Sequence, residues 1–135
     1  MDVDEFLARP LVARVATAGP DGPAVRPVWF LWEEGAFWWL TGGYARLRRL
    51  VEADPRAALV VDTCDPASGR VRSVTCRGTA RPVPLDRGRA ARKLVRHLGP
   101  EETWPARFAA APEEPEAGMI RFEPDRPPRL RDLSW

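Results

Sequence analysis

From Ala24 to Val61 the chain alternates apolar runs with turn residues at a spacing that leaves few folds open. Ala-Val-Arg-Pro-Val-Trp-Phe-Leu-Trp (24–32) and Ala-Phe-Trp-Trp-Leu-Thr (36–41) flank Glu33-Glu34-Gly35. Aromatic and β-branched residues dominate both runs, so the stretch reads as a β-hairpin about that turn. Gly42-Gly43 closes the second run. A short basic helix is then expected over Tyr44–Ala53, with Leu47, Leu50 and Val51 at helical spacing and Asp54-Pro55 as its stop. A buried strand, Arg56 to Thr63, follows. Pro27 lacks an N–H to give to a ladder, so its strand must be interrupted or lie at an edge there.

The rest of the chain is punctuated in the same way. Asp2–Ala8 forms a short capped helix ended by Pro10, and Leu11–Thr17 is the first strand. Ala18 to Pro23 is a turn by composition. Arg70–Val83 alternates over its whole length, placing Val71, Ser73, Thr75, Arg77 and Thr79 on one face and Val74, Cys76, Gly78 and Ala80 on the other. A basic helix (Arg87–Leu98, capped by Asp86), a short helix (Glu101–Ala111), a proline-acidic loop (Pro112–Glu116) and a strand (Met119–Glu123) follow. Arg129–Trp135 is a further edge strand. Strands dominate and follow one another at hairpin spacing, which excludes a doubly wound parallel sheet. The expected class is mainly β (β plus α): a small antiparallel barrel with a few peripheral helices, formed as one domain over residues 1–135.

Composition narrows the function. A net charge of +2 is too small to imply a nucleic-acid partner, and no apolar run nears the ~20 residues of a membrane helix. The expectation is a cytoplasmic protein with no membrane partner. Cys64 and Cys76 are expected to be free thiols, and two cysteines with one histidine make no metal site. Six Trp, five Phe and one Tyr exceed the needs of one small core, and the surplus points to an interface or a ligand pocket.

An arginine on an apolar strand (Arg26), a hydroxyl at a strand end (Thr41) and an arginine opening a helix (Arg46) form a set suited to one phosphate. Nothing resembles a nucleophile–base pair, a carboxylate dyad or a phosphate-binding glycine loop. No catalytic side chain is identified, which suits chemistry carried by a cofactor.

Five segments together resemble the pyridoxamine 5′-phosphate oxidase-like split β-barrel flavoproteins, from about Phe6 to Val83. They are Ala-Thr-Ala-Gly-Pro-Asp-Gly-Pro (16–23), Val-Arg-Pro-Val-Trp-Phe (25–30), Leu-Thr-Gly-Gly…Ala-Arg-Leu (40–47), Asp-Pro-Arg-Ala-Ala-Leu-Val-Val-Asp (54–62) and Arg-Gly-Thr-Ala (77–80). The resemblance implies a Greek-key-like split barrel and a homodimer with two cofactor sites at its interface. Arg26 and Arg46 would hold the cofactor phosphate, and Thr41 the phosphate or ribityl chain. Val28 and Trp29, with backbone from Val25 to Leu31, would line the isoalloxazine, and Ser73 would lie near it. The helix start departs from the usual Ser/Thr-Arg-Lys, reading Ala45-Arg46-Leu47, with Arg48 or Arg49 as substitutes for the missing cation. The implied function is hydride transfer between FMN and a small conjugated substrate. The alternatives are the same chemistry with the deazaflavin F420, or a non-catalytic flavin-binding or sensing module.

Overall fold

The fold, taken from a computed structural model of the chain, is described for residues 1–43 and 45–135. Its elements in order are α1 (Val3–Leu7), β1 (Val12–Gly19), β2 (Gly22–Trp29), β3 (Leu31–Glu33), β4 (Ala36–Thr41), α2 (Arg46–Ala53), β5 (Arg56–Asp65), β6 (Arg70–Pro84), α3 (Arg87–Leu98), α4 (Ala106–Ala110), β7 (Gly118–Pro124) and β8 (Arg131–Asp132), with single 3-10 turns at Glu101–Thr103 and Ala111–Glu113. The expected start of the second helix at Tyr44 lies outside the described residues. The helix expected over 101–111 is broken instead, because Pro105 can only begin a helix; α4 starts immediately after it.

All pairings are antiparallel, and the sheet runs β2-β1-β5-β6-β7-β4-β3 with β8 added to β6. This small antiparallel split barrel with peripheral helices is the expected fold class. The run expected as one strand over 24–32 is two, separated at fully buried Phe30. β2 pairs only with β1, whereas β3 pairs with β4. One bent segment therefore supplies both ends of the path and closes the sheet on itself. Pro27 sits opposite Arg14 on this edge strand, where its missing donor breaks no ladder. Between β3 and β4 the chain reverses on Glu34 and Gly35, with φ of 53° and 70°. Two successive left-handed residues give the turn that matches strand twist, and Gly35 adopts its half without strain.

The barrel interior is apolar. Phe6, Val15, Phe30, Phe37, Trp39, Leu59, Val61, Val74, Ile120 and Phe122 meet in one cluster, into which α2 inserts Leu47 and Val51. Burying each such side chain stabilises by about 1.5–3 kcal/mol. A smaller cluster of Leu31, Ala36, Trp38 and Met119 lies on the outer face of β3, β4 and β7. Arg89 of α3 lies over the Trp38 ring at 3.9 Å. Glu33 joins the helix to the hairpin, accepting from Arg92 at 2.7 and 2.9 Å and from Arg89 at 3.2 Å. Cys64 is exposed and Cys76 buried, both as free thiols.

Candidate functional site

Because β2 turns away from β4 at Phe30, the two strands diverge from that point as the limbs of a wedge. Arg26 lies four residues from the vertex on one limb. Thr41 lies on the other, three residues past Trp38, the last β4 residue that pairs with β3. Arg26 pairs with Val15, whose side chain is buried, so its Cβ faces the core side. It is nevertheless exposed, since no strand covers β2 beyond the bend. Among the described residues its guanidinium has no ion pair. The alternative partners for Arg26 are taken: Asp62 bonds Arg14 at 2.8 Å, Glu33 bonds Arg89 and Arg92, and Glu34 bonds Arg89.

Thr41 is only 9 % exposed, and its Oγ1 finds no hydrogen-bond partner. A buried hydroxyl left unpaired costs about 1–3 kcal/mol. Three more such atoms are found among the described residues: Thr17 Oγ1 and Trp39 Nε1, on the inward faces of β1 and β4, and Arg96 Nη1 on α3. α2 begins just beyond Thr41 with Ala45 as its cap residue, which supplies no side-chain bond to the first amides. Arg46 opens that helix and reaches Asp21, at the tip of the β1–β2 hairpin, only at 3.7 Å with both side chains exposed. The hairpin tip and the helix start are thus neighbours, and Arg26 is ~13 Å along β2 from that tip.

The Gly42-Gly43 turn is covered by the segment before β7. A Cβ at Gly43 would lie 1.5 Å from Glu116 Oε2, so glycine is what lets that carboxylate approach the backbone. Arg48 donates to the Glu116 carbonyl at 3.3 Å and to Glu52 at 3.1 Å, while Arg49 donates to the Gly43 carbonyl at 3.3 Å. Both substitute arginines therefore gather at this turn. Leu47, standing where the family motif has lysine, is buried in the core. A cleft of about 270 Å³ lies here, lined by Thr41, Arg48, Pro82, Val83 and Glu116 to Met119. Glu116 and Gly43 were not singled out from the sequence. Their meeting depends on the pairing of Thr41 with Gly118, a long-range register with no local signal.

The remaining candidates divide. Val28 shares the inward face with Arg26 and packs against the core. Trp29 lies on the opposite face of β2, stacked on His97 (5.1 Å between centroids) and on Phe108 (5.2 Å). The two side chains therefore do not line one surface. Ser73 lies on the outer face of β6, between Asp62 of β5 and Arg131 of β8. One copy of the chain does not bring it to the wedge. His97, the single histidine, has Nδ1 and Nε2 at 3.0 and 2.9 Å from the carbonyls of Lys93 and Leu11. Among the described residues no group of three or more His, Cys, Asp or Glu could hold a metal, and no helix is long and apolar enough to cross a membrane.

Comparison with known proteins bears on the fold and the family. Among curated protein sequences none matches the chain. A conserved hypothetical protein, Rv2991, from Mycobacterium tuberculosis is 20 % identical, with a TM-score of 0.75 over 98 % of this chain and 82 % of that one. A structure described as an F420 reductase is 26 % identical, with a TM-score of 0.66 over 95 % and 94 %. The haem storage protein HutZ from Vibrio cholerae is 17 % identical, with a TM-score of 0.71 over 96 % and 90 %. The family model described as pyridoxamine 5′-phosphate oxidase matches residues 1–127, and the chain belongs to that family.

Proposed function

We propose that the protein is a cytoplasmic flavin-dependent oxidoreductase that holds FMN in the wedge between β2 and β4 and acts on a small conjugated substrate. The observation that carries this reading is the buried, unpartnered Thr41 Oγ1 beside an uncapped helix start, with Arg26 unpaired on the facing limb. These groups suit a phosphate ester: two guanidiniums, one hydroxyl and free amide donors. A bound flavin would supply hydride transfer. The chain's share is to fix the phosphate through Arg26, Arg46 and Thr41, and to offer the backbone from Val25 to Leu31 as a wall for the ring. Arg49 and Arg48 hold the Gly43 turn and the Glu116 segment in place around that seat.

A homodimer is part of the proposal. The outer face of β2, β1, β5 and β6 carries short side chains, Ala16, Ala18, Val25, Ala58, Val60 and Thr75, around the Arg14–Asp62 ion pair, with Arg77 at its border. Val25 is 63 % exposed there. A second copy packed on this face would cover that apolar surface and bring its Ser73 towards the first copy's ring wall, which one copy cannot do for itself.

F420 is the second reading, favoured by the 26 % identity to the F420 reductase over nearly all of both chains. A haem-binding role is disfavoured, because both ring nitrogens of the single histidine already face carbonyl oxygens. The test is the absorption spectrum of the protein as purified, followed by titration of FMN and F420 against tryptophan fluorescence. Flavin-like double bands or saturable FMN quenching supports the first reading, and selective uptake of F420 the second. Colourless protein that takes up neither at micromolar concentration defeats both.

A further inference from the structure

β7 ends at Pro124, and the chain then runs on as a strap along the edge of β6 opposite β5, the edge that β7 and β8 share. The strap is tied at one end by the Asp125 amide to the Arg77 carbonyl (2.9 Å), and at the other by the Leu133 amide to the Val71 carbonyl (2.8 Å) and the Val71 amide to Ser134 Oγ (2.9 Å). In between, Leu130 packs against the barrel core. Pro127 and Pro128 have no N–H to give and hold an extended backbone, so the strap arches off β6 rather than pairing with it. The arch leaves a cleft of about 810 Å³ lined by Thr75, Arg77, Asp125, Arg126, Arg129 and Arg131.

Among the described residues, arginines outside any ion pair outnumber those within one, and four of the former gather at this cleft. Arg14, Arg48, Arg56, Arg72, Arg87, Arg89, Arg92 and Arg121 all have carboxylate partners. Among the described residues no ion pair involves Arg77, Arg126, Arg129 or Arg131. One carboxylate, Asp125, stands among these four guanidiniums, leaving a net charge of three. The strap follows β6 from Arg77 to Val71, ~20 Å at strand rise. A single phosphate engages one or two guanidiniums and leaves the others unmatched.

The geometry points to this cleft as a binding site for a linear oligoanion, a ligand or ligand segment carrying three successive phosphate or carboxylate groups. The strap is already ordered by its end ties, its prolines and Leu130, so little backbone entropy is lost when the ligand binds. The site is separate from the Arg26 wedge and does not depend on the flavin reading; its Thr75 and Arg77 border the face proposed to meet a second copy.

The test is calorimetric titration of the full-length protein, at low ionic strength, with inorganic tripolyphosphate and with the peptide triaspartate. Saturable binding of either, weakened about tenfold or more in Arg126→Gln/Arg129→Gln and unchanged in Arg26→Gln, supports the site; the stronger probe distinguishes a phosphate from a carboxylate source. Circular dichroism checks that the doubly substituted protein is folded, as expected for two exposed side chains. Failure of both probes to bind below about 1 mM would overturn the proposal, since multidentate arginine sites bind such anions tighter than that. Binding that the double substitution leaves intact, or that Arg26→Gln abolishes, would overturn it as well. FMN uptake by the double variant is read separately, so a failed flavin assignment and a failed oligoanion site give different results.

Discussion

The two ends of the β3–β4 hairpin treat their polar groups in opposite ways. At the turn end, Glu33 and Glu34 are fully engaged: Arg89 and Arg92 converge on Glu33, Arg89 also reaches Glu34 and Asp86, and its guanidinium covers Trp38. At the Thr41 end, a buried hydroxyl has no partner, α2 has no side-chain cap, and the facing strand carries an unpaired arginine. In the first, both carboxylates are matched by arginines of α3, which hold that helix on the barrel, although Arg96 Nη1 on the same helix is buried without a partner among the described residues. In the second, Thr41 Oγ1 and Arg26 have no partner among those residues, as the proposed phosphate seat requires. Charge near a barrel end is therefore no guide to function here; what separates the two ends is that the carboxylates of the turn find cations within the chain, whereas Arg26 finds no carboxylate among the described residues.

Substitutions at the two ends should separate affinity from stability. The largest effect is expected for Arg26→Gln/Arg46→Gln. Loss of two charge-assisted hydrogen bonds, about 1.5–3 kcal/mol each, lowers cofactor affinity by about 100-fold or more. The melting temperature should stay almost unchanged, because neither side chain has a close partner to lose. A fall in stability with unchanged affinity would reverse the roles given to the two ends. Glu33→Ala should do the opposite. It removes the carboxylate that Arg89 and Arg92 share, leaving Arg89 to Asp86 and Glu34, and should cost about 1–2 kcal/mol in denaturant unfolding while leaving cofactor affinity unchanged. The hydrogen bond from Arg92, with the charges of Arg92 and Arg89, holds the Glu33 carboxyl below its ordinary 4.5 against the opposing effect of burial. That stabilisation is present above pH 4.5 and is lost as pH falls through the depressed folded value. The advantage of the natural chain over Glu33→Ala should shrink in that window and be constant above it.

Next in size is Lys93, on the buried face of α3 beside Ala90 and Leu94 and 6 % exposed. Burial pulls its ammonium down from 10.5 to about 8. The folded chain thus releases this proton more readily than the unfolded chain. The penalty is full below pH 8 and is relieved as pH rises from 8 towards 10.5, at most on the order of 3 kcal/mol. Lys93→Met should gain about 1–2 kcal/mol at pH 7 after repacking, and the gain should diminish above pH 8. A variant less stable than the natural chain at pH 7 would mean that the amine has a partner worth more than its desolvation costs.

Much of this was legible from residue order. Alternation along Arg70–Val83 gave the two faces of β6, and Pro27 marked an edge strand. The family resemblance singled out Arg26, Thr41 and Arg46, which lie on β2, at the end of β4 and at the start of α2. Other features were hidden because their causes are tertiary. The apolar run 24–32 shows no break at Phe30, since a buried aromatic continues the pattern while the backbone bends. Val28 and Trp29 are adjacent in sequence, yet strand geometry sends them to opposite faces. The arginine cleft needs Arg77 on one strand and Arg126, Arg129 and Arg131 on a strap that returns to it, and the two stretches are about fifty residues apart with no shared motif.

The smallest expected effect is the one that separates a ligand seat from a packing defect. Thr41→Val keeps the volume and replaces the unpartnered hydroxyl with a methyl group. If Oγ1 awaits a ligand, the ligand-free variant should be as stable as the natural chain or more stable by up to about 1 kcal/mol, because a buried unpaired polar atom has been removed. Its cofactor affinity should fall about tenfold, the loss of one hydrogen bond. The stability gained by adding cofactor should therefore be smaller in the variant, though it begins from an equal or higher melting temperature. If the ligand-free variant were instead destabilised by more than about 1 kcal/mol, Oγ1 would already be hydrogen-bonded within the protein or to bound water, and the Thr41 end would be as self-sufficient as the Glu33 end.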